Sequence, residues 1–227
     1  MTEIKPIAHI RTCFTTKFGI PRQAGIVDTP ATIVFEPEYR NPDALRGING
    51  FDFIWIIWQF SESIRKDWSP TVRPPRLGGN ERMGVFATRS PFRPNSLGLS
   101  SVRLLSVEHT TEYGTVLHVS GADLMDNTPI FDIKPYLPYT DSHPQARSGF
   151  APEPADSLLK VEIPDSMLRR VAPALRRPLQ DILAHDPRPQ YHNDPSRIYG
   201  MEFDRYEVRF HVMEGILTVD HIEDKHK

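Results

Sequence analysis

Residues 53–60, Phe-Ile-Trp-Ile-Ile-Trp-Gln-Phe, carry the strongest structural signal in the sequence. Apolar side chains occupy both alternating sets of positions, a pattern typical of a strand that is buried on both faces. The wider apolar run from Phe51 to Phe60 is interrupted by Asp52 and Gln59, and it is about half as long as the ~20 residues that a membrane span needs. We therefore interpret it as a core strand of a soluble protein.

Further short strands are predicted on both sides of this core strand. They cover Pro6–Thr12, Thr32–Phe35, Met83–Thr88, Leu99–Val107, Thr115–Val119 and Pro129–Ile133. The last two suggest a meander. Many short strands between turns favour a mainly β barrel or sandwich, and the lack of a regular alternation of strand and helix disfavours a doubly wound sheet.

The composition changes near Leu137. Residues 138–156 are rich in Pro, Ser, Asp and Gly, so we interpret them as a linker between a β domain over residues 1–137 and a smaller α+β segment over residues 157–227. For that segment the pattern predicts a strand over Ser157–Ile163, a helix over Asp165–Ala184 capped by Asp165 or Ser166 and kinked or split at Pro173 and Pro178, and a hairpin of Tyr206–Met213 and Ile216–Ile222 around Glu214-Gly215.

The chain of 227 residues suits one large domain or a main domain with a small appendage. Its net charge of -2 means that any nucleic-acid surface must be a local patch. Cys13 is the only cysteine, so no internal disulfide is possible, and residues 1–10 lack the pattern of a signal peptide. Both observations predict a cytoplasmic protein.

The stretch from Val72 to Gly98 is locally basic. It holds five arginines against one acid, Glu81: Arg73, Arg76, Arg82, Arg89 and Arg93. Guanidinium groups match carboxylate and phosphate oxygens, and the neighbouring prolines hold them at low entropic cost. The stretch therefore indicates an anion-binding loop, and the alternative is a solvated loop whose arginines pair with surface acids.

Three aspartates follow within residues 121–136: Asp123, Asp126 and Asp132. Strand alternation places Asp132, Lys134 and Tyr136 on one face together with Ile130, where the polar groups could line a pocket. The alternative is an exposed ladder of charges. Asp126 begins an Asp-Asn-Thr-Pro sequence that also serves as an ordinary turn.

Two other loops carry candidate ligand-binding groups. Residues 20–25 present Arg22 and Gln23 as donors between Pro21 and Gly25. Residues 186–191 present Arg188 and Tyr191, which suit phosphate contact and base stacking. No dinucleotide-binding, Walker, zinc-protease, Cys-x-x-Cys or nucleophile-elbow motif is present, and the histidines lack metal-ligand spacing.

The run over residues 84–95, Gly-Val-Phe-Ala-Thr-Arg-Ser-Pro-Phe-Arg-Pro-Asn, resembles the signature of the TsaA/TrmO family. Residues 21–23, 73–79, 132–136 and 186–189 are similar to that family as well, in the family's order, and the C-terminal segment marks its longer bacterial form. The resemblance implies a non-Rossmann methyltransferase on a small closed β-barrel, a homodimer with its cofactor near the subunit interface. It also implies that S-adenosylmethionine methylates the exocyclic N6 of threonylcarbamoyladenosine, just 3′ of a tRNA anticodon.

The resemblance assigns cofactor contacts to ten residues: Arg22, Gln23, Ser61, Glu62, Arg89, Leu99, Gly121, Ala122, Asp123 and Leu124. On the tRNA side, the residue chemistry itself predicts that Arg73, Arg76, Arg93 and Arg188 hold flanking phosphates, with Asn95 and Tyr191 as further tRNA-binding candidates. Two departures from the family pattern are Ser96-Leu97 in place of Pro-Ile and Asn127 in place of Gly. Because Asn tolerates left-handed backbone angles, the turn at Asn127 is expected to survive.

The chemistry follows as a hypothesis. The sulfonium methyl is already activated, so the enzyme mainly supplies alignment and desolvation. The urea-like acceptor nitrogen has an acidic proton, which Asp132 or Asp126 could remove, with Tyr136 beside them. Lys134 or an arginine could bind the threonyl carboxylate.

Two rival functions remain at this point. A non-catalytic RNA- or anion-binding module would explain the arginines equally well. A metal-dependent phosphohydrolase is suggested by the three aspartates, although histidine ligands with helpful spacing are lacking.

Overall fold

The computed structural model describes residues 3–151, 158–189 and 194–226, except for the side chain of Arg76. Its strands are β1 (Ala8–Arg11), β2 (Pro30–Phe35), β3 (Phe53–Gln59), β4 (Thr71–Val72), β5 (Met83–Gly84), β6 (Leu97–Thr110), β7 (Gly114–Ser120), β8 (Thr128–Pro135), β9 (Lys160–Glu162), β10 (Tyr199–Phe203), β11 (Tyr206–Met213) and β12 (Ile216–Asp224). Its α-helices are α1 (Pro138–Asp141), α2 (Asp165–Leu168) and α3 (Pro173–Ala184). Short 3-10 turns cover Pro37–Tyr39, Pro42–Leu45, Ile48–Gly50, Ser61–Ser63, Pro75–Leu77 and Val85–Ala87.

Six antiparallel strands form the main sheet in the order β1-β2-β7-β6-β3-β8. β8 pairs with β3 and also with β1, so each of the six strands has two neighbours and the ring of pairings closes. The inward side chains form one apolar core, in which Ile10, Ile33, Ile54, Ile56 and Leu117 are fully buried. The prediction of a mainly β protein is confirmed.

The core strand predicted at residues 53–60 is β3, but only one of its faces is fully buried. Ile54, Ile56 and Trp58 point into the core, whereas Trp55 and Ile57 on the outer face are half-buried. A partial cover lies over Trp55, whose Nε1 donates a hydrogen bond to Asp141 of α1 at 2.8 Å. The apolar outer face therefore reflects this local cover rather than a second layer of strands.

The predicted meander of β7 and β8 is wrong. β7 pairs with β2 and β6, whereas β8 lies on the other side of the ring. The connecting residues do not turn back on β7. They run over the end of the sheet, where Gly121 N–H donates to Thr29 O and Asp126 N–H donates to Phe14 O. These long-range bonds leave no local sequence signal.

A β-bulge corrects the predicted face of β8. Ile57 is opposite Asp132, but the next residue, Trp58, is opposite Ile130, so Phe131 is an extra residue in β8. Such an insertion reverses the alternation beyond it. Ile130 therefore points into the core and does not share a face with Asp132.

The predicted strand over Met83–Thr88 is shorter than expected. Only Met83–Gly84 pairs, with β4, and Val85–Ala87 then forms a 3-10 turn that Thr88 closes by donating its Oγ1 proton to Val85 O. The buried side chain of Val85 fixes this turn against the protein.

The C-terminal segment forms a four-stranded sheet in the order β10-β11-β12-β9, covered by α3. The hairpin of β11 and β12 is confirmed, with positive φ angles of 51° at Glu214 and 78° at Gly215. The predicted helix splits before Pro173, the first residue of α3, but it continues through the buried Pro178. The residue preceding α2 is Pro164, so the predicted cap at Asp165 or Ser166 is wrong. β10 was not predicted from the sequence pattern. No helix in the described ranges is long and apolar enough to cross a membrane.

The long loop between β1 and β2 joins the two sheets. Phe14 and Val27 lie in the same apolar cluster as the C-terminal strands, and the ring of Phe18 stacks on Phe210. Gly19 has φ +96°, and a Cβ there would lie 2.5 Å from Met201 Sδ. The loop is thus seated on the C-terminal sheet.

Candidate functional site

A cavity of about 580 Å³ opens where the loop between β1 and β2 meets the end of β3 and the start of β6. Of the ten residues assigned to the cofactor, seven line it: Arg22, Gln23, Ser61, Glu62, Arg89, Leu99 and Asp123. The volume lies within the usual range for small-ligand sites. Residues separated by about 100 positions in the chain therefore meet around one space, and that they hold a cofactor stays a prediction.

The half-buried carboxylate of Asp123 forms one wall of the cavity. Ser100 Oγ donates to Asp123 Oδ1 at 2.6 Å, and Trp58 Nε1 donates to the same Ser100 oxygen at 3.0 Å. Burial raises the pKa of Asp123, and the hydrogen bonds from Ser100 and the Ala24 backbone, together with the charge of Arg89, oppose that rise. The carboxylate is thus held in place by groups that favour its charged form.

Gly121 fixes the loop that carries Arg22 and Gln23. Its φ is +83°, its carbonyl accepts from Gly25 N–H at 2.9 Å, and a Cβ would lie 3.2 Å from the Gly25 Cα. Gly121, Ala122 and Leu124 do not line the cavity, and the side chains of Ala122 and Leu124 belong to the apolar core. Within residues 121–124, Asp123 alone faces the cavity.

Side chains on the other wall hold one another. Arg89 Nη1 donates to Gln23 Oε1, which joins the arginine-rich stretch to the first loop. Lys17 Nζ donates to Glu62 O at 2.6 Å and to Ser63 Oγ at 3.3 Å. The turn over Ser61–Ser63 is therefore fixed by the loop that sits on the C-terminal sheet.

Sequence reasoning missed Lys17, Trp58 and Ser100. Trp58 was assigned to the core strand alone, and Lys17 is an unremarkable basic residue. Ser100 gave one usable signal, because a hydroxyl at an inward position of a strand needs a hydrogen-bond partner.

A second, open groove of about 1900 Å³ adjoins the cavity and shares Gln23, Arg89 and Arg93 with it. Its basic side chains are Arg65, Lys66, Arg73, Arg82, Arg89, Arg93 and Arg147, and Asp67 is the acid that lines it. Trp68 and Phe86 stand next to each other in the groove with ring centroids 6.1 Å apart, and Phe86 is 74% exposed. Exposed aromatic rings among arginines suit phosphates and unstacked bases.

The polar side chains of the arginine-rich stretch over residues 72–98 differ in where they lie and what they contact. Arg73, Arg82 and Arg93 all line the groove. Arg82 Nη1 donates to Thr71 Oγ1 at 2.8 Å, and Arg93 Nη1 donates to the carbonyls of Thr88 and Ser90 at 2.9 Å and 3.2 Å. Asn95 lines neither cavity. The side chain of Arg76 lies outside the described part of the structure.

The proposed phosphate contact at Arg188 meets a structural obstacle. Its Nε and Nη2 both bind the Asp186 carboxylate, at 2.8 Å and 2.9 Å, and its side chain is 12% exposed. It lines neither cavity, and its observed partners are Asp186 and the Tyr199 ring, whose centroid is 6.0 Å from the guanidinium carbon. Tyr191 lies outside the described residues.

Asp132 and Lys134 border the first cavity rather than line it. They form an ion pair at 2.9 Å on the outer face of the main sheet. Asp132 is in register with Ile57 and Leu99, and Lys134 with Trp55 and Ser101; Leu99, Trp55 and Ser101 line the cavity. Residues in register share a face of the sheet, so Asp132 lies on the same face as Leu99. The two backbones are two strand spacings apart, about 10 Å. Tyr136 packs on Trp55 with ring centroids 5.6 Å apart.

Asp126 occupies a different position. Its carboxylate accepts from Thr12 N–H at 3.0 Å, and the next residue, Asn127, has φ +62°. The turn survives with Asn, as expected. Asp123, Asp126 and Asp132 thus lie in three separate places and have different partners. Within the described residues, no group of metal-binding side chains comes together.

The small-ligand cavity and the basic groove lie side by side. The outer face of the main sheet, which carries Asp132, continues from the cavity at Leu99. A cavity of small-ligand size beside a basic groove suits an enzyme that modifies nucleic acid with a small-molecule donor, and the main sheet is antiparallel, unlike a Rossmann sheet. The family model for the tRNA-methyltransferase O N-terminal domain matches residues 9–142, and that for the TrmO C-terminal domain matches residues 158–225. The chain belongs to the tRNA-methyltransferase O family.

Individual relatives agree with this assignment. A protein of Escherichia coli K12 named tRNA (adenine(37)-N6)-methyltransferase is 37% identical over 232 residues, covering 98% of both chains. A protein of the same name from Eikenella corrodens is 45% identical over 170 residues, 75% of this chain and 96% of its own. The crystal structure of TrmO from Pseudomonas aeruginosa superposes with a TM-score of 0.78 at 31% identity and covers 98% of this chain and 99% of that chain.

Proposed function

We propose that this enzyme transfers the methyl group of S-adenosylmethionine to the exocyclic N6 of adenine 37 in tRNA, and that the adenine carries a threonylcarbamoyl group. The relatives' names support the reaction and the position. The observation that carries the proposal is the 580 Å³ cavity, which sets the half-buried Asp123 carboxylate against arginines and adjoins a basic groove.

The cavity residues suit the charges of the methyl donor. The donor supplies an activated methyl group when bound. Arg22 and Arg89 offer guanidinium forks for its carboxylate, and Asp123 offers a negative charge for its cationic part. Leu99 and Trp55 supply apolar surface that excludes water at the mouth of the cavity.

The acceptor nucleoside is proposed to lie on the outer face of β8 and β3. Asp132 removes the N6 proton there, Lys134 binds the threonyl carboxylate, and Tyr136 and Trp55 support the base. The shared register of Asp132 and Leu99 supports this placement. Asp126 is not proposed as the base, because its carboxylate already accepts a hydrogen bond from the Thr12 N–H just after β1.

The groove is proposed to hold the anticodon loop. Arg73, Arg82 and Arg93 contact phosphates, and Trp68 with Phe86 provides a stacking surface for an unpaired base. The target adenine leaves the anticodon stack to reach the methyl group. Basic side chains outnumber acids strongly in this groove although the whole chain is slightly acidic.

We also propose the domain limits, the oligomeric state and the cellular location of the chain. Residues 1–137 form the catalytic domain as a small closed β-barrel, residues 138–156 the linker and residues 157–227 the C-terminal subdomain. The closed ring of strand pairings and the shift of sheet after α1 support these limits. A cytoplasmic homodimer with the cofactor near the subunit interface follows the family resemblance, and light scattering after gel filtration tests the dimer.

Incubation with labelled S-adenosylmethionine and tRNA, with and without the threonylcarbamoyl group, followed by nucleoside analysis, tests the function. We expect label in N6-methylated threonylcarbamoyladenosine and none without the threonylcarbamoyl group. Calorimetry with S-adenosylmethionine alone tests the alternative of a non-catalytic RNA-binding module. tRNA binding without donor binding or label would favour that alternative.

A further inference from the structure

We infer that Ser100 is a positioning residue for donor binding: its hydroxyl, fixed by Trp58, holds the Asp123 carboxylate so that its remaining acceptor sites meet the positively charged part of the methyl donor. The inference rests on the proposed use of the cavity by S-adenosylmethionine.

Hydrogen-bond chemistry fixes the direction of the relay. The indole Nε1 of Trp58 can only donate, so Ser100 Oγ accepts that proton. The single hydroxyl proton of Ser100 is then free to go to Asp123, at 2.6 Å. Because one contact orders the hydroxyl and the other uses it, the carboxylate receives a donor with a fixed direction.

Packing holds the start of the relay in place. The Trp58 ring lies between the Gly98 backbone and the ring of Phe60, whose centroid is 4.2 Å away. Ser100 itself is 3% exposed, so water does not compete for its hydroxyl. The orientation of Asp123 is therefore set by the core strand and not by solvent.

Charge around Asp123 has several sources. The other charged side chains that line the cavity are Lys17, Arg22, Glu62, Arg89 and Arg93. Arg89 and the Ala24 N–H stabilise the anion along with Ser100, while burial disfavours it. Of the groups that stabilise the anion, Ser100 is the one whose side chain donates a hydrogen bond to the Asp123 carboxylate.

This arrangement has a pH signature. Donor binding needs the Asp123 anion, so affinity falls as the pH drops through the pKa of Asp123. The Ser100 hydrogen bond lowers that pKa. Ser100→Ala removes the bond, the pKa rises further, and the fall in affinity moves to higher pH.

The test is the dissociation constant of S-adenosylmethionine, measured by calorimetry between about pH 4.5 and pH 8 for the full-length chain. For Ser100→Ala we expect roughly tenfold weaker binding at neutral pH and a profile displaced to higher pH. Trp58→Phe leaves the Ser100 hydroxyl without its donor and shifts the profile less, in the same direction. Ser120→Ala is the matched control, because Ser120 is a buried serine that donates to Asp28 at 3.4 Å outside the cavity.

Each outcome decides the matter. An unshifted profile for Ser100→Ala, whether or not the affinity falls in parallel at all pH values, overturns the positioning role. A shift equal to that of Ser120→Ala does the same. A wild-type chain that binds no S-adenosylmethionine at any pH contradicts the proposed function itself, which separates the two failures.

Discussion

The indole ring of Trp58 lies directly against the backbone of Gly98, so that a Cβ at Gly98 would stand 2.3 Å from the ring. The two residues are opposite each other on β3 and β6. Only a residue without a side chain allows this approach. One contact thus joins the apolar core of the main sheet to the Ser100–Asp123 wall of the cavity.

Replacing Gly98 with alanine should therefore affect stability and donor binding together. The methyl group forces the Trp58 ring aside, which should cost about 1–3 kcal/mol of unfolding free energy. The displaced indole releases Ser100, so affinity for S-adenosylmethionine should fall as well. Thermal unfolding and calorimetry measure the two effects. Gly50→Ala is the control, because nothing lies within 4 Å of a Cβ there, and equal behaviour of the two variants would contradict this role for Gly98.

Arg73 and Arg82 should contribute phosphate contacts in the groove. Alanine at either position should weaken tRNA binding. The loss of one phosphate contact should also reduce the slope of log affinity against log salt concentration by about 0.7–0.9. Filter binding at several salt concentrations measures the slope. Arg177→Ala serves for comparison, since that side chain is 88% exposed on α3 and lies outside the groove. A slope unchanged in Arg73→Ala and Arg82→Ala would place the RNA elsewhere.

Arg188 should matter for stability and not for tRNA binding. Its fork is occupied by Asp186, so Arg188→Ala removes two hydrogen bonds from a half-buried carboxylate that keeps the backbone N–H of residue 188, and it should cost about 1–2 kcal/mol. Denaturant unfolding gives the stability, and filter binding of the folded variant gives the affinity. A reduced salt slope for Arg188→Ala would restore the phosphate contact expected from the sequence.

Asp126, which lies just before β8, and Asp132, which lies within β8, should differ in catalysis. Asp132→Asn should slow single-turnover methyl transfer about a hundredfold, within the usual range for a lost general base. Asp126→Asn should leave the rate near that of the wild type, because the Asp126 carboxylate is engaged with the Thr12 N–H and an amide oxygen can accept the same bond. Donor and tRNA affinities measured alongside separate chemistry from binding. Near-wild-type rates in both variants would remove the base from the account.

Local patterns predicted much of this fold. The apolar alternation at Phe53–Phe60 located β3, and Glu214-Gly215 located a hairpin whose turn needs positive φ angles. The order of strands could not be predicted in the same way. The placement of β8 between β3 and β1 depends on bonds such as Asp126 N–H to Phe14 O, which join distant parts of the chain.

The candidate site shows the same contrast between local motifs, which could be predicted, and long-range contacts, which could not. The motifs named Arg22, Gln23, Arg89 and Asp123, which the structure brings to one cavity. The bulge at Phe131 was invisible in the sequence, because an extra residue in a strand is defined only by its partner strand. Arg188 looked like a free cation until the structure showed Asp186 bound to it.

The most direct test of the account is a crystal structure with S-adenosylhomocysteine, the demethylated form of the donor. We expect density for the ligand in the 580 Å³ cavity, with the ligand's amino-acid end between Arg89 and Asp123 and its sulfur directed toward the face that carries Asp132. Density for the ligand at any site that Asp123, Arg89 and Leu99 do not contact would contradict it.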